Sequence, residues 1–357
     1  MIKEAPVKSE RPIAIWLFIG VGMLIVQILL GGITRLTGSG LSITQWNVVT
    51  GALPPLNQHE WLKEFNLYQQ THQFRLLNTD FTLHQFKFIF FWEWFHRFWA
   101  RLMGVVFLIP FIIFLIQKRF RPWMIKPMII LFLLGALQGA IGWIMVASGL
   151  SGDAIYVEPT RLAIHFLFAL LLLCYVFWFA EKVTVRNEQR TFNKSVFSWA
   201  VVLICVLALQ LFYGALMAGY KAAAVAPTWP TINGEFIPSG MHQREGLLLN
   251  LFANSISIHF IHRYLAYLLV ILVFVLFLRL LRIQGFPLVR KAAWINLLLV
   301  LLQATLGILT VLNSREILPQ HWGIFEWLAQ LHQLVAISFL LSVVWILFLT
   351  GNRYMKR

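Results

Sequence analysis

Long stretches without a charged residue are the feature that most constrains the fold of this chain. A membrane-spanning helix requires about 20 consecutive apolar residues. Six uncharged stretches have about this length: Pro12–Thr34, Met128–Gly152, Leu162–Ala180, Ser195–Tyr220, Ala292–Ser314 and Trp327–Asn352. Two shorter stretches, Leu102–Gln117 and Tyr264–Leu278, reach it if their helices begin near Ile89 and Ser257. The sequence therefore predicts an all-α integral membrane protein with eight transmembrane helices.

The composition points in the same direction. Of the 357 residues, 59% are apolar and only 12% are charged, against about 25% charged residues in soluble domains. The mean hydropathy is +0.75. A soluble globule with so few charges would expose large apolar patches and aggregate. These values exclude an ordinary soluble enzyme and a disordered protein. The two cysteines, Cys174 and Cys205, fall inside predicted helices, so the outer loops have no disulfide.

Basic residues are concentrated in the segments between the predicted helices. The chain has 29 lysines and arginines against 14 acidic residues, a formal charge of +15. If the N-terminus lies in the cytoplasm, 18 of the 29 basic residues fall in cytoplasmic segments, as the positive-inside rule requires. The charge pattern therefore predicts cytoplasmic termini, and it gives no reason to expect a nucleic acid partner.

Helices 2–4 of this prediction resemble helices 6–8. Three pairs of segments match at offsets of 165 to 167 residues: those at His96 and His262, at Leu137 and Leu302, and at His165 and His332. A weaker match relates the segments at Gln27 and Gln210 in helices 1 and 5. Because each half has an even number of helices, both halves have the same orientation. We therefore expect two four-helix bundles, residues 1–194 and 195–357, related by a pseudo-two-fold axis along the membrane normal.

Four histidines occupy repeat-matched positions within the predicted helices: His96, His165, His262 and His332. Polar groups in a membrane core are costly and usually functional. A single such histidine is more often a packing residue, but two matched pairs at one depth favour ligands. Zinc would require a closer cluster, often with carboxylate or thiolate. Two facing imidazoles in an apolar bundle instead suit axial ligation of haem iron, which predicts up to two haem sites, one in each half.

The two halves differ next to the first histidine of each pair. Glu93 lies three residues before His96, on the same helical face, whereas the repeat-equivalent residue is His259. A carboxylate in such a site can relay protons. The difference predicts that the N-terminal half performs chemistry and the C-terminal half handles electrons. The alternative is that Glu93 forms a structural ion pair with Arg97 or Arg101.

Four arginines lie near the histidines and are candidates for binding haem propionates: Arg35, Arg97, Arg161 and Arg263. The guanidinium group forms bidentate pairs with carboxylates, so it suits a propionate. Arg161 is four residues before His165 and therefore lies on the same helical face. The alternative is that these side chains extend to the membrane interface.

The first outer segment, from Thr34 to roughly Phe88, is about twice as long as an ordinary loop. Within it, Trp61, Phe65 and Tyr68 recur at helical spacing. This spacing predicts a short helix that lies on the membrane surface or caps the haem cavity. A purely structural cap is the alternative.

The residues that carry these signals resemble those of the haem A synthase family, over essentially the whole chain. The matching segments are GGITRLTGSGLSITQWNVVTGALPP (31–55), FKFIFFWEWFHRFWARLMG (86–104), PTWPTINGEFIP (227–238), and the helices containing SIHFIHRYLAYL and LAQLHQLVAIS. The resemblance implies that His96 and His165 face the substrate haem and that Glu93 is the glutamate on which the reaction depends. It also implies that His262 and His332 ligate a resident haem b. The absence of outer-loop cysteine pairs resembles the proteobacterial and mitochondrial branch.

The resemblance implies an activity and a setting. The expected reaction oxidises the C8 methyl group of haem O to a formyl group, giving haem A for cytochrome oxidase, with water as the oxygen source. The expected location is a bacterial inner membrane, with haem O synthase and oxidase assembly factors as partners. The sequence leaves the electron acceptor open, and the oligomeric state too, a homo-oligomer included. Two other functions account for the histidines: a di-haem b-type electron carrier, and a haem transporter or chaperone.

Overall fold

The computed structural model describes residues 10–45, 50–242, 245–315 and 322–351, and within them the regular structure is helical. Its α-helices are α1 (Arg11–Leu36), α2 (Gln58–Gln69), α3 (His72–Leu77), α4 (Leu83–Ile116), α5 (Pro122–Gly149), α6 (Pro159–Thr184), α7 (Lys194–Gly219), α8 (Leu247–Ala253), α9 (Ser255–Leu280), α10 (Pro287–Leu312) and α11 (Ile324–Thr350). Among the described residues, eight helices are long and apolar enough to cross a membrane: α1, α4, α5, α6, α7, α9, α10 and α11. The predicted fold class and number of spans are confirmed, including the upstream extension of α4 and α9.

Local sequence determines where the spanning helices begin. Proline stands in the first turn of α1, α5, α6 and α10, where its missing N–H costs nothing and its fixed φ suits a helix. Of the other four starts, those of α4, α7 and α9 use side-chain caps. Asn193 and Asn254 accept backbone N–H groups at the starts of α7 and α9. Thr82 forms a capping box with Gln85 at the start of α4.

The spanning helices of the second half form a closed ring, in which α7 contacts α9, α9 contacts α10, α10 contacts α11, and α11 contacts α7. In the first half, α1 contacts both α4 and α6, and α5 contacts α6. The halves meet where α6 packs on α7 and α1 packs on α11. These contacts follow the order of the repeat, while the pseudo-two-fold axis and the division into 1–194 and 195–357 stay predictions.

The first half departs from this ring at α4 and α5, which do not pack closely together. Across this gap, the Phe107 and Phe132 rings stack with their centres 6.3 Å apart. Glycines on both helices face open space, since a Cβ atom built on Gly104 of α4, or on Gly135 or Gly139 of α5, meets no other atom within 4 Å. The N-terminal half is therefore the more open of the two.

The predicted short helix in the first outer segment is confirmed as α2, and its three aromatic residues pack against α4. Trp61 contacts Phe90, with ring centres 5.0 Å apart, and Phe65 and Tyr68 contact Phe86. Burial raises the pKa of Tyr68 to about 12, so its hydroxyl stays protonated at neutral pH. The internal cavity is lined by α3 and the segment after it rather than by the aromatic face of α2.

The connections at the two ends of the bundle differ in length. The connections at the basic end have five to nine residues (117–121, 185–193 and 281–286). At the loop end, 150–158 is equally short, but 37–82 and 220–254 are several times longer. At the basic end, Arg190 donates to the Phe348 carbonyl and packs on its ring. Both chain termini lie outside the described residues, so their placement in the cytoplasm stays a prediction.

Candidate functional site

One internal cavity of about 1090 Å³ runs through both halves and is lined by all four histidines, His96, His165, His262 and His332. Pockets for drug-sized ligands are usually between about 300 and 1,000 Å³, so this cavity is large enough for a macrocycle. Most of its walls are leucine, phenylalanine, glycine and alanine, which suits a flat apolar ligand with polar groups at its edge. The site is therefore a large, mainly apolar cavity in which the four histidines supply nitrogen atoms that can bind a metal.

In the C-terminal half, His262 and His332 project from α9 and α11, about two turns from the starts of these helices. Their ring centres are 6.5 Å apart, and the ring planes are inclined by 77°. Nitrogen binds a metal at about 2 Å, so two imidazoles on opposite sides of one iron have ring centres about 6 Å apart. The Nδ1 atoms of both rings are buried without a hydrogen-bond partner among the described residues. The pair thus fits an iron atom held between two imidazoles.

In the N-terminal half, His96 on α4 and His165 on α6 line the same cavity. His165 is about two turns from the start of its helix, as predicted. His96 is deeper in its helix, because the capping box starts α4 at Leu83, well before the predicted start near Ile89. The two histidines nevertheless reach one space, as the repeat predicted.

Glu93 is 2% exposed and accepts hydrogen bonds at both carboxylate oxygens. Oε2 accepts from the Ser42 hydroxyl at 2.7 Å and from the Ile43 backbone N–H at 2.9 Å. Oε1 accepts from Arg97 at 2.6 Å. The predicted ion pair with Arg97 is therefore present, and the first outer loop completes the site. These contacts hold the carboxylate at the wall of the cavity, one turn from His96.

Of the remaining predicted arginines, Arg35 lines the cavity and the other two do not. Arg35 donates to the Ala218 carbonyl at 3.4 Å and has Glu326 as its acidic neighbour, so it joins the two halves. Arg161 pairs with Glu158 at 2.7 Å near the surface. For Arg161, this position matches the alternative in which the side chain extends to the membrane interface better than it matches propionate binding.

Arg263 is buried and binds a loop instead of facing the cavity. It donates to the backbone carbonyls of Thr228, Pro230 and Thr231 at 2.8 to 3.0 Å. It also lies 2.9 Å from Nε2 of His259. These contacts fix the outer segment that contains PTWP against α9.

Sequence reasoning missed the glutamines that contact the histidines. The side-chain nitrogen of a glutamine on the preceding spanning helix lies 3.2 to 3.4 Å from a ring nitrogen in four pairs: Gln27 with His96, Gln138 with His165, Gln210 with His262, and Gln303 with His332. The segments at Gln27 and Gln210 had been matched, and those containing Gln138 and Gln303 too. Their recurrence before each histidine helix was the signal that could have identified them.

The fold and the site define a class: multi-pass helical membrane proteins in which paired histidines from an internal repeat face one large apolar cavity. The model of the cytochrome oxidase assembly protein family COX15-CtaA matches residues 14–344. The chain belongs to this family.

Its relatives share most of their length with it. A protein of Bartonella quintana named heme A synthase is 37% identical over 93% of this chain and 90% of its own. Proteins of the same name are 39% identical in Bradyrhizobium sp. strain ORS 278, over 87% and 86% of the two chains, and 38% identical in Bradyrhizobium diazoefficiens, over 96% and 92%. The resemblance inferred from the motifs is confirmed.

Proposed function

We propose that this protein is a haem A synthase, a membrane oxidoreductase that converts the C8 methyl group of haem O to a formyl group. Its family and its relatives' names support this activity. The observation that carries it within the chain is the buried Glu93 carboxylate beside His96, because the other half has a histidine at the equivalent position. A protein that only carried electrons would need no such difference between its halves.

The two halves have different roles in this proposal. The more open N-terminal half receives the substrate haem between His96 and His165, and the closed C-terminal ring holds a resident haem b between His262 and His332. When bound, haem supplies the redox chemistry, while the protein supplies orientation and electrostatics. The 6.5 Å separation of His262 and His332 supports their assignment to iron.

The residues of the N-terminal half orient the substrate and move protons. His96 and His165 fix the plane of the substrate from its two faces. Glu93 accepts a proton at a carboxylate oxygen while Ser42, Ile43 and Arg97 keep that carboxylate in place. Arg35, inside the cavity at the junction of the halves, is the best-placed of the four predicted arginines for a propionate. Water is the proposed oxygen source, and the electrons leave through the C-terminal half to an acceptor.

The setting follows from the fold and the charge pattern. We place the protein in a bacterial inner membrane with both termini in the cytoplasm, since the short connections at the basic end carry the excess of lysine and arginine. The loop end, with the histidines near it, then faces outward. Haem O synthase and oxidase assembly factors are the proposed partners, because one supplies the substrate and the others use the product.

Co-expression tests the activity directly. The full-length protein is produced with a haem O source in cells that lack haem A, and the extracted haems are separated by chromatography. We expect haem A to accumulate, and the purified protein to show a haem b absorption spectrum. Accumulation of haem O alone, with haem b bound, would instead identify a di-haem electron carrier. Reversible binding of haem O without a resident haem would identify a transporter.

Filling the N-terminal cavity should block the reaction without removing the resident haem. Gly139 lines the cavity on α5, and a Cβ atom built there meets no other atom within 4 Å, so we expect Gly139→Leu to occupy cavity space without displacing a helix. Because small misplacements of a substrate are costly, we expect haem A formation to fall at least about tenfold. The measurement is the ratio of haem A to haem O, alongside the haem b spectrum.

Gly22→Leu is the matched control for this substitution. Gly22 is an exposed helical glycine on α1 whose surroundings are equally open, but it does not line the cavity. Its substitution should leave the haem ratio unchanged. Equal activity in both variants would contradict the placement of the substrate in the N-terminal half of the cavity.

A further inference from the structure

The internal cavity extends further toward the basic end in the N-terminal half than in the C-terminal half. On α1 its lining continues for eleven residues, from Gln27 to Trp16, but on the matched helix α7 for only three, from Gln210 to Leu207. The other three pairs of matched helices, counted in the same way from the histidine or glutamine of each helix, differ in the same direction by three or four residues. At 1.5 Å per residue, the cavity is deeper in the first half by about 4.5 to 12 Å.

The repeat shows what closes the second half at this depth. Three residues at the deep end of the lining in the first half have counterparts that do not line the cavity: Phe107 with Val273, Leu131 with Asn296, and Val176 with Val343. These counterparts are at most 2% exposed. The Asn296 amide also donates to the Ser342 hydroxyl at 2.7 Å. Packed side chains therefore fill the second half at the depth where the first half keeps space.

We call the deeper part of the first half the apolar extension. It is lined by Trp16, Phe107, Leu131, Phe132, Leu172 and Val176. Of these six, only Trp16 has a polar side-chain atom, and its Nε1 donates to the Val106 carbonyl at 2.9 Å. Arg101 and the other charged residues that line the cavity lie nearer the loop end. Because a buried polar group without a hydrogen bond is costly, the apolar extension suits a hydrocarbon and disfavours a polar ligand.

The apolar extension is continuous with the space that the proposed function assigns to the substrate. Haem O differs from haem b in carrying a long isoprenoid chain in place of one vinyl group. A site for haem O therefore needs apolar space beyond the macrocycle, whereas a site for haem b does not. The difference in depth between the halves matches the two haems that the proposed function assigns to them.

We propose that the apolar extension binds the isoprenoid chain of the substrate haem and thereby selects haem O over haem b. This inference rests on the proposed function and adds the residues that recognise the chain. Burial of each methylene is favourable, so a chain enclosed by Trp16, Phe107 and Leu172 adds to the affinity. A lipid acyl chain has similar chemistry. The chain of the substrate has the advantage, because it is attached to a macrocycle already held in the same cavity.

A bound chain also fixes the rotation of the substrate. Two histidines on opposite faces set the plane of the macrocycle but leave it free to turn about the axis through the iron. Haem O has several methyl groups at its edge, so this rotation decides which of them faces Glu93. The isoprenoid chain and the propionates stand on opposite sides of haem O. With the chain toward the basic end, the propionates point toward the loop end, where Arg35 lies eight residues beyond Gln27 on α1.

Gly135→Phe tests the proposal in the full-length purified protein with its resident haem. Gly135 lines the cavity on α5, and a Cβ atom built there meets no other atom within 4 Å. Side chains on a helix lean toward its N-terminus, which on α5 is at the basic end, so the phenyl ring should point into the apolar extension. Haem O and haem b are titrated separately, and binding is followed by difference absorption. We expect wild-type protein to bind haem O at least about tenfold more tightly than haem b. Gly135→Phe should lose this preference and keep its affinity for haem b.

Gly22→Phe is the matched control, because Gly22 is an exposed glycine with open surroundings that does not line the cavity. It should keep the preference for haem O. Gly135→Leu fills less of the apolar extension and should lose the preference only in part. An equal loss of affinity for both haems in Gly135→Phe and Gly135→Leu would show a general disturbance of the site and would overturn the inference.

The remaining outcomes separate this inference from the proposed function. A wild-type protein that forms haem A yet binds haem O and haem b equally would overturn the inference alone. Mass spectrometry of the purified protein tests a lipid: a phospholipid that Gly135→Phe displaces and haem O does not would assign the apolar extension to lipid instead. A wild-type protein that neither binds haem O nor forms haem A would overturn the proposed function.

Discussion

Glu93→Gln should reduce haem A formation by about 10²- to 10⁴-fold, the range expected when a group that transfers a proton is lost. The substitution keeps the size and shape of the side chain. It removes the charge and the second accepting oxygen, so one of the donors now bound to the carboxylate, Ser42, Ile43 or Arg97, loses its acceptor. The measurement is the amount of haem A per molecule of protein. The haem b spectrum should be retained, because the C-terminal histidines are not contacted.

Two further variants separate a chemical role of Glu93 from a structural one. Glu158→Gln removes the acid of an exposed Glu–Arg pair with Arg161 and should leave activity unchanged. The double variant Glu93→Gln, Arg97→Gln removes both charges of the buried pair, and with them the cost of an unpaired buried guanidinium. If the double variant regains activity, Glu93 serves only to pair Arg97. Continued inactivity with the haem b spectrum intact supports proton transfer.

The spanning helices were predictable because the membrane imposes one length on an apolar stretch. The exception is α4, where Glu93, His96 and Arg97 interrupt the apolar sequence and lower its hydropathy. Its start was predicted near Ile89, but a capping box begins the helix at Leu83. A polar side chain that is paired inside the protein does not end a helix, and pairing depends on tertiary structure.

The partners of the arginines were not predictable for the same reason. Arg263 follows a histidine as Arg97 does, yet Arg97 binds a carboxylate and Arg263 binds three loop carbonyls. The repeat preserves the residue type while the outer loops of the two halves differ, so the partner changes. Spacing along a helix indicates which face a side chain occupies, and only the fold determines what it meets there.

The glutamines were hidden for a different reason. Gln210 and Gln303 are uncharged, so they do not interrupt the uncharged stretches that identify the spans, and a single one resembles an ordinary packing residue. Their role emerges only when each is placed beside the histidine of the next helix. Similarly, Gly135 and Gly139 could have marked close packing, whereas the structure leaves space around both. Whether a small residue provides contact or room is a property of the assembled helices.

Replacing either C-terminal histidine should remove the resident haem. His262→Gly and His332→Gly each delete one of the two imidazoles whose ring centres are 6.5 Å apart, so a single axial ligand remains. We expect haem b recovered with the purified protein to fall at least about tenfold, and haem A formation to stop with it. The loss of the low-spin absorption bands, measured per molecule of protein, is the direct readout. His84→Gly, an exposed histidine in the first turn of α4, should change neither quantity.

Added imidazole distinguishes ligation from folding in these variants. A glycine at position 332 leaves a space of the size of the ring next to Gly307 and Gln303, which free imidazole can enter. If His332 is an iron ligand, imidazole should restore the low-spin spectrum in His332→Gly in a concentration-dependent manner, and it should do nothing in His84→Gly. An unaltered spectrum in His332→Gly before any addition would exclude His332 as a ligand.

The corresponding variants in the N-terminal half, His96→Gly and His165→Gly, should keep the haem b spectrum and lose haem A formation, because we place these two histidines beside the substrate.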